Sequence, residues 1–176
     1  LLALSLGCAH SGQATPPAPP PETKPPPVVP VPVPGPEADA RAEAAFRALE
    51  PKFDALQEIR PPADARQLKA SLGLRVKGAT ELERGYQAII GLGSPEWTVA
   101  ALVRLGDTWE QLALFLRAVP SPAGLTPEQA GIFRSELAAR AWPIEEKAAD
   151  SYRKAIAVTP DVPESEPWRA FARERL

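Results

Sequence analysis

Proline decides where this chain can be ordered. Twelve of its 23 prolines fall between positions 16 and 36, in runs such as Pro19-Pro20-Pro21 and Pro25-Pro26-Pro27 and in the alternation Val29-Pro30-Val31-Pro32-Val33-Pro34. Each proline holds φ near −65° and removes a backbone donor, so the alternating valines report polyproline II and not a strand. At about 3.1 Å per residue the segment spans on the order of 65 Å, which suits a spacer. Docking to a proline-recognition module is the alternative, although PxxP spacing arises in any proline run. After Gly35-Pro36 the composition changes to Ala, Leu, Glu and Arg at helical spacing. The chain therefore divides into residues 1–7, a disordered proline-rich linker over 8–36 and a helical domain over 37–176.

Within 37–176 the apolar residues recur at intervals of three and four. Phe46, Leu49, Phe53, Leu56 and Ile59 form one stripe from about Glu37, with a kink or break expected at Pro51 and an end at Pro61-Pro62. Leu68, Leu72, Val76, Ala79, Leu82, Tyr86, Ile89 and Ile90 form a second, closed by left-handed caps at Gly91 and Gly93. Ser94-Pro95-Glu96 reads as an N-cap, a proline at the first helical position and an acid at the positive dipole end. The helix that follows, to Arg117, is apolar on most sides and is the expected centre of the core. Pro120 to Gly124 make a turn, and Thr126-Pro127-Glu128-Gln129 has capping-box spacing. A fourth stripe runs Ile132, Phe133, Leu137, Ala141, Ile144, Ala148, Tyr152, Ala155 and Ile156, with a bend expected at Pro143. Pro160, Pro163 and Pro167 end it, and Trp168, Phe171 and Ala172 begin a short last helix. Trp97, Trp109 and Trp142 lie on or beside the stripes, so core packing is their expected role.

The inventory narrows the chemistry. The one histidine, His10, and the one cysteine, Cys8, both precede the helical domain, so His/Cys zinc sites and histidine-based triads are excluded there. Gly91-Leu92-Gly93 follows a helix and lacks the third glycine of a dinucleotide loop. Pairs such as Glu81/Glu83 and Glu145/Glu146 read as solvated helix surface. A formal net charge of −2 argues against nucleic acid as a partner. No catalytic residue, cofactor, metal or small-molecule substrate is predicted. With a single cysteine, stability must come from packing.

Two resemblances carry the reading further. Leu102-x-x-Leu105-Gly106-x-x-Trp109 resembles the first helix of a tetratricopeptide repeat, and Ala148-x-x-x-Tyr152-x-x-Ala155 with Pro160 resembles its second helix and terminating proline. The Trp109-like and Ala148-like positions stand 39 apart. The ordinary repeat leaves about nine residues between them, so about 30 extra residues lie in the far part of the hairpin. The implied fold is all-α, with tetratricopeptide-like antiparallel hairpins and one elongated, split repeat whose 95–118 helix is about 36 Å long. Leu82, Tyr86 and Ile89 echo the second half of an earlier repeat. Tyr86 to Trp97, followed by Ala100-Ala101-Leu102, resembles tetratricopeptide proteins of the myxobacterial adventurous gliding motility group.

The second resemblance lies at the front. The apolar run Leu1 to Gly7 looks like the end of a signal peptide, its beginning truncated, and Ser5-Leu6-Gly7-Cys8 resembles the lipobox of bacterial lipoproteins. The resemblance implies acylation of Cys8, and Ala9 after it implies an outer-membrane address with the domain at the periplasmic face. An unmodified free cysteine is the plainer alternative. Together the resemblances imply a lipid-anchored, non-enzymatic scaffold for other envelope proteins, possible alternatives being an assembly factor for outer-membrane proteins or an accessory subunit of a peptidoglycan-modifying enzyme. Carrying the repeat pattern onto the 95–117 helix assigns partner-facing positions to Val103, Asp107, Glu110 and Gln111, with ordinary helix surface as the other reading.

Overall fold

In a computed structural model the stripes become five α-helices: α1 (Pro36–Gln57), α2 (Ala65–Ile90), α3 (Pro95–Arg117), α4 (Pro127–Ala157) and α5 (Glu166–Glu174), the last preceded by a 3-10 turn at Pro163–Ser165. The structure describes residues 35–158 and 163–176. Cys8, His10, the prolines up to Pro34 and Pro160 lie outside the described residues. Among the described residues there is no strand, and no helix is long and apolar enough to cross a membrane.

The helix starts follow local chemistry. Asp64 Oδ1 accepts from the amides of Arg66 and Gln67 at 3.0 and 2.9 Å, capping α2. The box at α4 closes in both directions, Gln129 N–H to Thr126 Oγ1 at 3.2 Å and Thr126 N–H to Gln129 Oε1 at 2.9 Å. Of the two glycines expected to cap α2, only Gly93 is left-handed, at φ 79°. Gly91 stays right-handed at φ −65°, its amide continuing the helical bonding to Gln87. Ser94 occupies the N-cap of α3, but its hydroxyl makes no cap bond.

Neither interior proline breaks its helix. Pro51 and Pro143 both sit inside continuous α-helix, and both are exposed, so the carbonyl each leaves without a donor belongs to the watered side of the turn. The α1 helix stops at Gln57, before Pro61-Pro62.

Every other α-helix packs on α3. One core cluster holds Phe46 and Phe53 of α1, Leu82, Tyr86 and Ile89 of α2, Val99 to Trp109 along α3, and Ala148, Tyr152 and Ala155 of α4. The Phe46 ring lies 6.0 Å from Tyr86, 5.3 Å from Trp97 and 5.5 Å from Trp168, drawing α2, α3 and α5 around one α1 side chain. Gly106 leaves room for an α4 ring, since a Cβ there would come within 2.6 Å of Tyr152. Trp109 and Tyr152 share this core.

Three stripe residues face elsewhere. Val76 is exposed and its neighbour Arg75 is buried in its place. The Arg75 guanidinium donates to the Leu56 carbonyl at the end of α1 and, at 3.3 Å, to the Gln111 carbonyl of α3, and it lies 5.4 Å over the Phe115 ring. A cation that donates charge-assisted hydrogen bonds to carbonyls of two helices outcompetes a valine for that position. Ile132 and Trp142 are each 60% exposed, because α4 runs past the helices that would have covered that face.

Candidate functional site

A lone cation in an apolar helix must find a partner or unfold the turn that buries it. Arg104 is the only basic residue of α3 before Arg117, and its guanidinium lies over two rings, 4.6 Å from Phe53 of α1 and 5.2 Å from Trp168 of α5. In the plane of the guanidinium, Nε and Nη2 donate to the two Glu50 carboxylate oxygens at 2.9 and 2.6 Å, a bidentate pair. Nη1 lies 3.5 Å from Asp107. Burial works against the charge on Arg104, but the hydrogen bond and charge of Glu50, with Asp107 behind them, outweigh it and hold the guanidinium more firmly protonated than usual.

One turn along α3 the balance reverses. Burial pushes the Asp107 carboxyl above the usual carboxylate range, although a 3.4 Å hydrogen bond from Gln111 and the Arg104 charge both oppose this. Another step on, Tyr152 donates its hydroxyl to Glu110 Oε2 at 2.8 Å, and Arg175 donates to Glu110 Oε1 at 3.1 Å. Burial first, and then that bond to Glu110, push the Tyr152 phenol well up. Arg175 also lies 4.8 Å over the Phe171 ring, which itself stands edge-on to Tyr152 at 6.3 Å. A polar ridge thus runs along α3 from Glu50 to Arg175, bordered by aromatic rings from α1 and α5. Beside it Arg104, Pro167, Trp168 and Phe171 enclose a shallow apolar recess of about 230 Å³.

Of the four positions assigned to partner contact, Asp107, Glu110 and Gln111 belong to this ridge, while Val103 lies in the core cluster. Val103 and Asp107 are buried, turned toward the packing interfaces of α3, while Glu110 and Gln111 remain half-buried with solvent contact. Cys8 lies outside the described residues. Sequence reasoning missed Glu50, Arg104 and Arg175, which enter the ridge through two ion pairs, Glu50 with Arg104 and Glu110 with Arg175. The one available signal was Arg104 itself, a solitary cation three residues from Asp107 in an otherwise apolar stretch. The Trp168–Phe171 spacing of three was legible, but not the ridge against which those rings would rest.

The ridge borders open surface at the Trp168–Phe171 recess. Its charges are joined to one another in pairs, and its open edge offers ring faces and half-covered carboxylates. Among the described residues no group of three or more His, Cys, Asp or Glu is placed to hold a metal ion. No family model, curated protein or solved structure matches the chain.

Proposed function

We propose that this chain is a non-enzymatic scaffold: a lipoprotein anchored through acylated Cys8, spaced from the outer membrane by its proline-rich linker, whose tetratricopeptide-like domain holds other envelope proteins at the periplasmic face. The observation that carries the domain part of this reading is the contact of Gly106 with Tyr152. These two residues belong to the two halves of the split signature, and their close approach is what a repeat interrupted at its far end requires. In keeping with it, α3 contacts α1 on one flank and α5 on another, as first helices of successive repeats would. The side they share carries the recess of Trp168 and Phe171 beside the Arg104 ridge. A role in gliding motility is the cellular setting suggested by the Tyr86 to Leu102 resemblance. Cys8 acylation rests on the lipobox resemblance alone.

The reading is tested by crosslinking in intact membranes and identifying what copurifies with the full chain. Phe171→Ser, kept in comparison only if its circular dichroism and melting match the parent, should lose partners that the parent captures. Retention of every partner by that folded variant would move the interface away from the recess. The anchor is tested separately: intact-mass analysis should find a diacylglycerol adduct on Cys8, and Cys8→Ser should leave the membrane fraction.

A second reading of the interface is favoured by the far end of the α3–α4 hairpin. There Pro122, Leu125, Ile132, Phe133 and Leu137 line an open apolar groove. A Phe171→Ser protein that retains its partners and loses them on Ile132→Asp would select it.

A further inference from the structure

At the opposite end of α3 from the hairpin tip, four carboxylates from three elements face one pocket. Asp39 and Glu43 come from the first turns of α1, Glu96 from the first turn of α3 and Glu164 from the 3-10 turn. With Ser94, Pro95 and Trp97 they line a space of about 430 Å³, within the size range of sites that take small ligands or side chains. Glu43 pairs with the exposed Arg47. Asp39, Glu96 and Glu164 form no ion pair with any described residue. Ser94, which lines the same pocket, is 0% exposed, and its Oγ has no hydrogen-bond partner. A buried hydroxyl without a partner is penalised, and here it belongs to the same lining as three unpaired acids and the half-buried Trp97.

We propose that this pocket receives a basic side chain, lysine or arginine, of a partner protein. The chemistry of the lining selects such a cation over a metal ion. The carboxylates stand on three separate elements, and no three of them are placed to coordinate a single ion, whereas an ammonium or guanidinium on an alkyl stem reaches several acceptors at once. Ser94 lines the pocket with a hydroxyl that has no partner of its own, and the Trp97 ring offers a face that attracts an organic cation. The positive end of the α3 dipole alone would favour an anion, but its half charge is outweighed by three carboxylates. Burial, and then the charges of Glu164, Glu43 and Asp39, raise the Glu96 carboxyl above its usual range; a bound cation relieves that repulsion. That a protein carries the cation rests on the scaffold reading, while the affinity of the pocket for it does not.

The test uses the full chain and follows the Trp97 indole N–H by two-dimensional NMR during titration with blocked lysine and blocked arginine, each N-acetylated and amidated. Blocked norleucine, spermidine and calcium are titrated in parallel. A saturable shift is expected with the two cationic amino acids, at Kd on the order of 1 mM, weakening as salt rises. Norleucine should give none. The Glu96→Gln, Glu164→Gln double variant removes like-charge repulsion and so keeps its fold, and it should bind at least about tenfold more weakly; Ser94→Ala should weaken binding by a smaller factor. An equal response to norleucine, an unchanged affinity in the double variant, or displacement of the amino acids by millimolar calcium would overturn the proposal. Spermidine binding more than about a hundredfold tighter than either amino acid would assign the pocket to free polyamines and overturn the protein partner. A silent titration removes the pocket and leaves the Phe171→Ser capture experiment as the judge of the scaffold itself.

Discussion

The two ends of the α3–α4 hairpin both carry apolar residues and are covered to different degrees. Near Gly106 the helices touch, with Tyr152 against the glycine, Lys147 over the Trp109 ring at 3.6 Å, and α1, α2 and α5 covering α3 from other sides. Beyond Leu112 the cover comes from α2, through Leu72 and Arg75, and thins toward the tip. Ala113, Leu116 and Ala141 make a small second cluster with Leu72 and Ile144 beside it, the exposed Arg117–Glu145 pair bridges the two helices, and Ile132 and Trp142 face water. An apolar residue stabilises a fold only when neighbours remove it from water, so apolar residues at the two ends confer unequal stability. The near end resembles the interior of a domain, and the far end an arm with apolar surface to spare.

Substitutions can break that comparison, the largest first. Tyr152→Ala, which empties the near end, should cost about 3–5 kcal/mol in urea denaturation; a loss below about 1 kcal/mol would show that the near end is not the core. Gly106→Val drives a branched side chain into the Tyr152 ring and should cost about 2–3 kcal/mol, with Gly106→Ala smaller because one methyl can be met by a shift of the ring. Arg104→Met leaves Glu50 without its bidentate partner while keeping the bulk beside Phe53 and Trp168. A loss of about 1–2 kcal/mol is expected, less than for a fully buried pair because both side chains retain some water. At the far end, Ile132→Ala and Trp142→Ala should change stability by no more than about 0.5 kcal/mol. A large loss there would mean that the arm is packed on something in solution.

A smaller, pH-dependent effect sharpens the picture of the ridge. Because burial raises the folded-state pKa of Asp107, the fold favours the protonated acid. Its stabilising contribution is full below the unfolded carboxylate pKa of about 3.9 and is lost as pH rises through the folded value. Asp107→Asn should therefore be more stable than the parent at pH 7, with the difference shrinking toward pH 4. Denaturation midpoints at the two pH values check it, and a variant that is less stable at pH 7 would show that Asp107 is held by Arg104 and Gln111 more strongly than it is penalised by burial.

Much of the fold was legible from one-dimensional signals. The capping box at Thr126, the proline at the first turn of α3 and the stripes of α1 and α2 act between residues a few positions apart, and they appear in the structure within a residue or two of where their spacing puts them. The misjudged positions share a different character. Trp142 and Ile132 lie on an apolar period that continues past the end of the covering helices, and nothing local marks where cover stops. Arg75 displaces Val76 because the Leu56 carbonyl of α1 accepts from its guanidinium there, 19 positions away. Ser94 has the residue type of a cap and a different hydrogen-bonding state. The ridge was half visible, through Asp107, Glu110 and Gln111, but its cation Arg104 and its closing Arg175 are held by pairings with Glu50 and Glu110 that no spacing rule predicts.

The sequence by itself determined which segments become helix, where they start and that α3 would be the most covered, because backbone bonding, capping and amphipathic period are settled within a few turns of chain. Only the tertiary structure decided which apolar faces stay wet, which arginines go inside, and that four acids distant in sequence share one pocket with a buried serine. Those outcomes depend on what other helices bring to the same place, and burial and electrostatics act through space, whatever the separation along the chain.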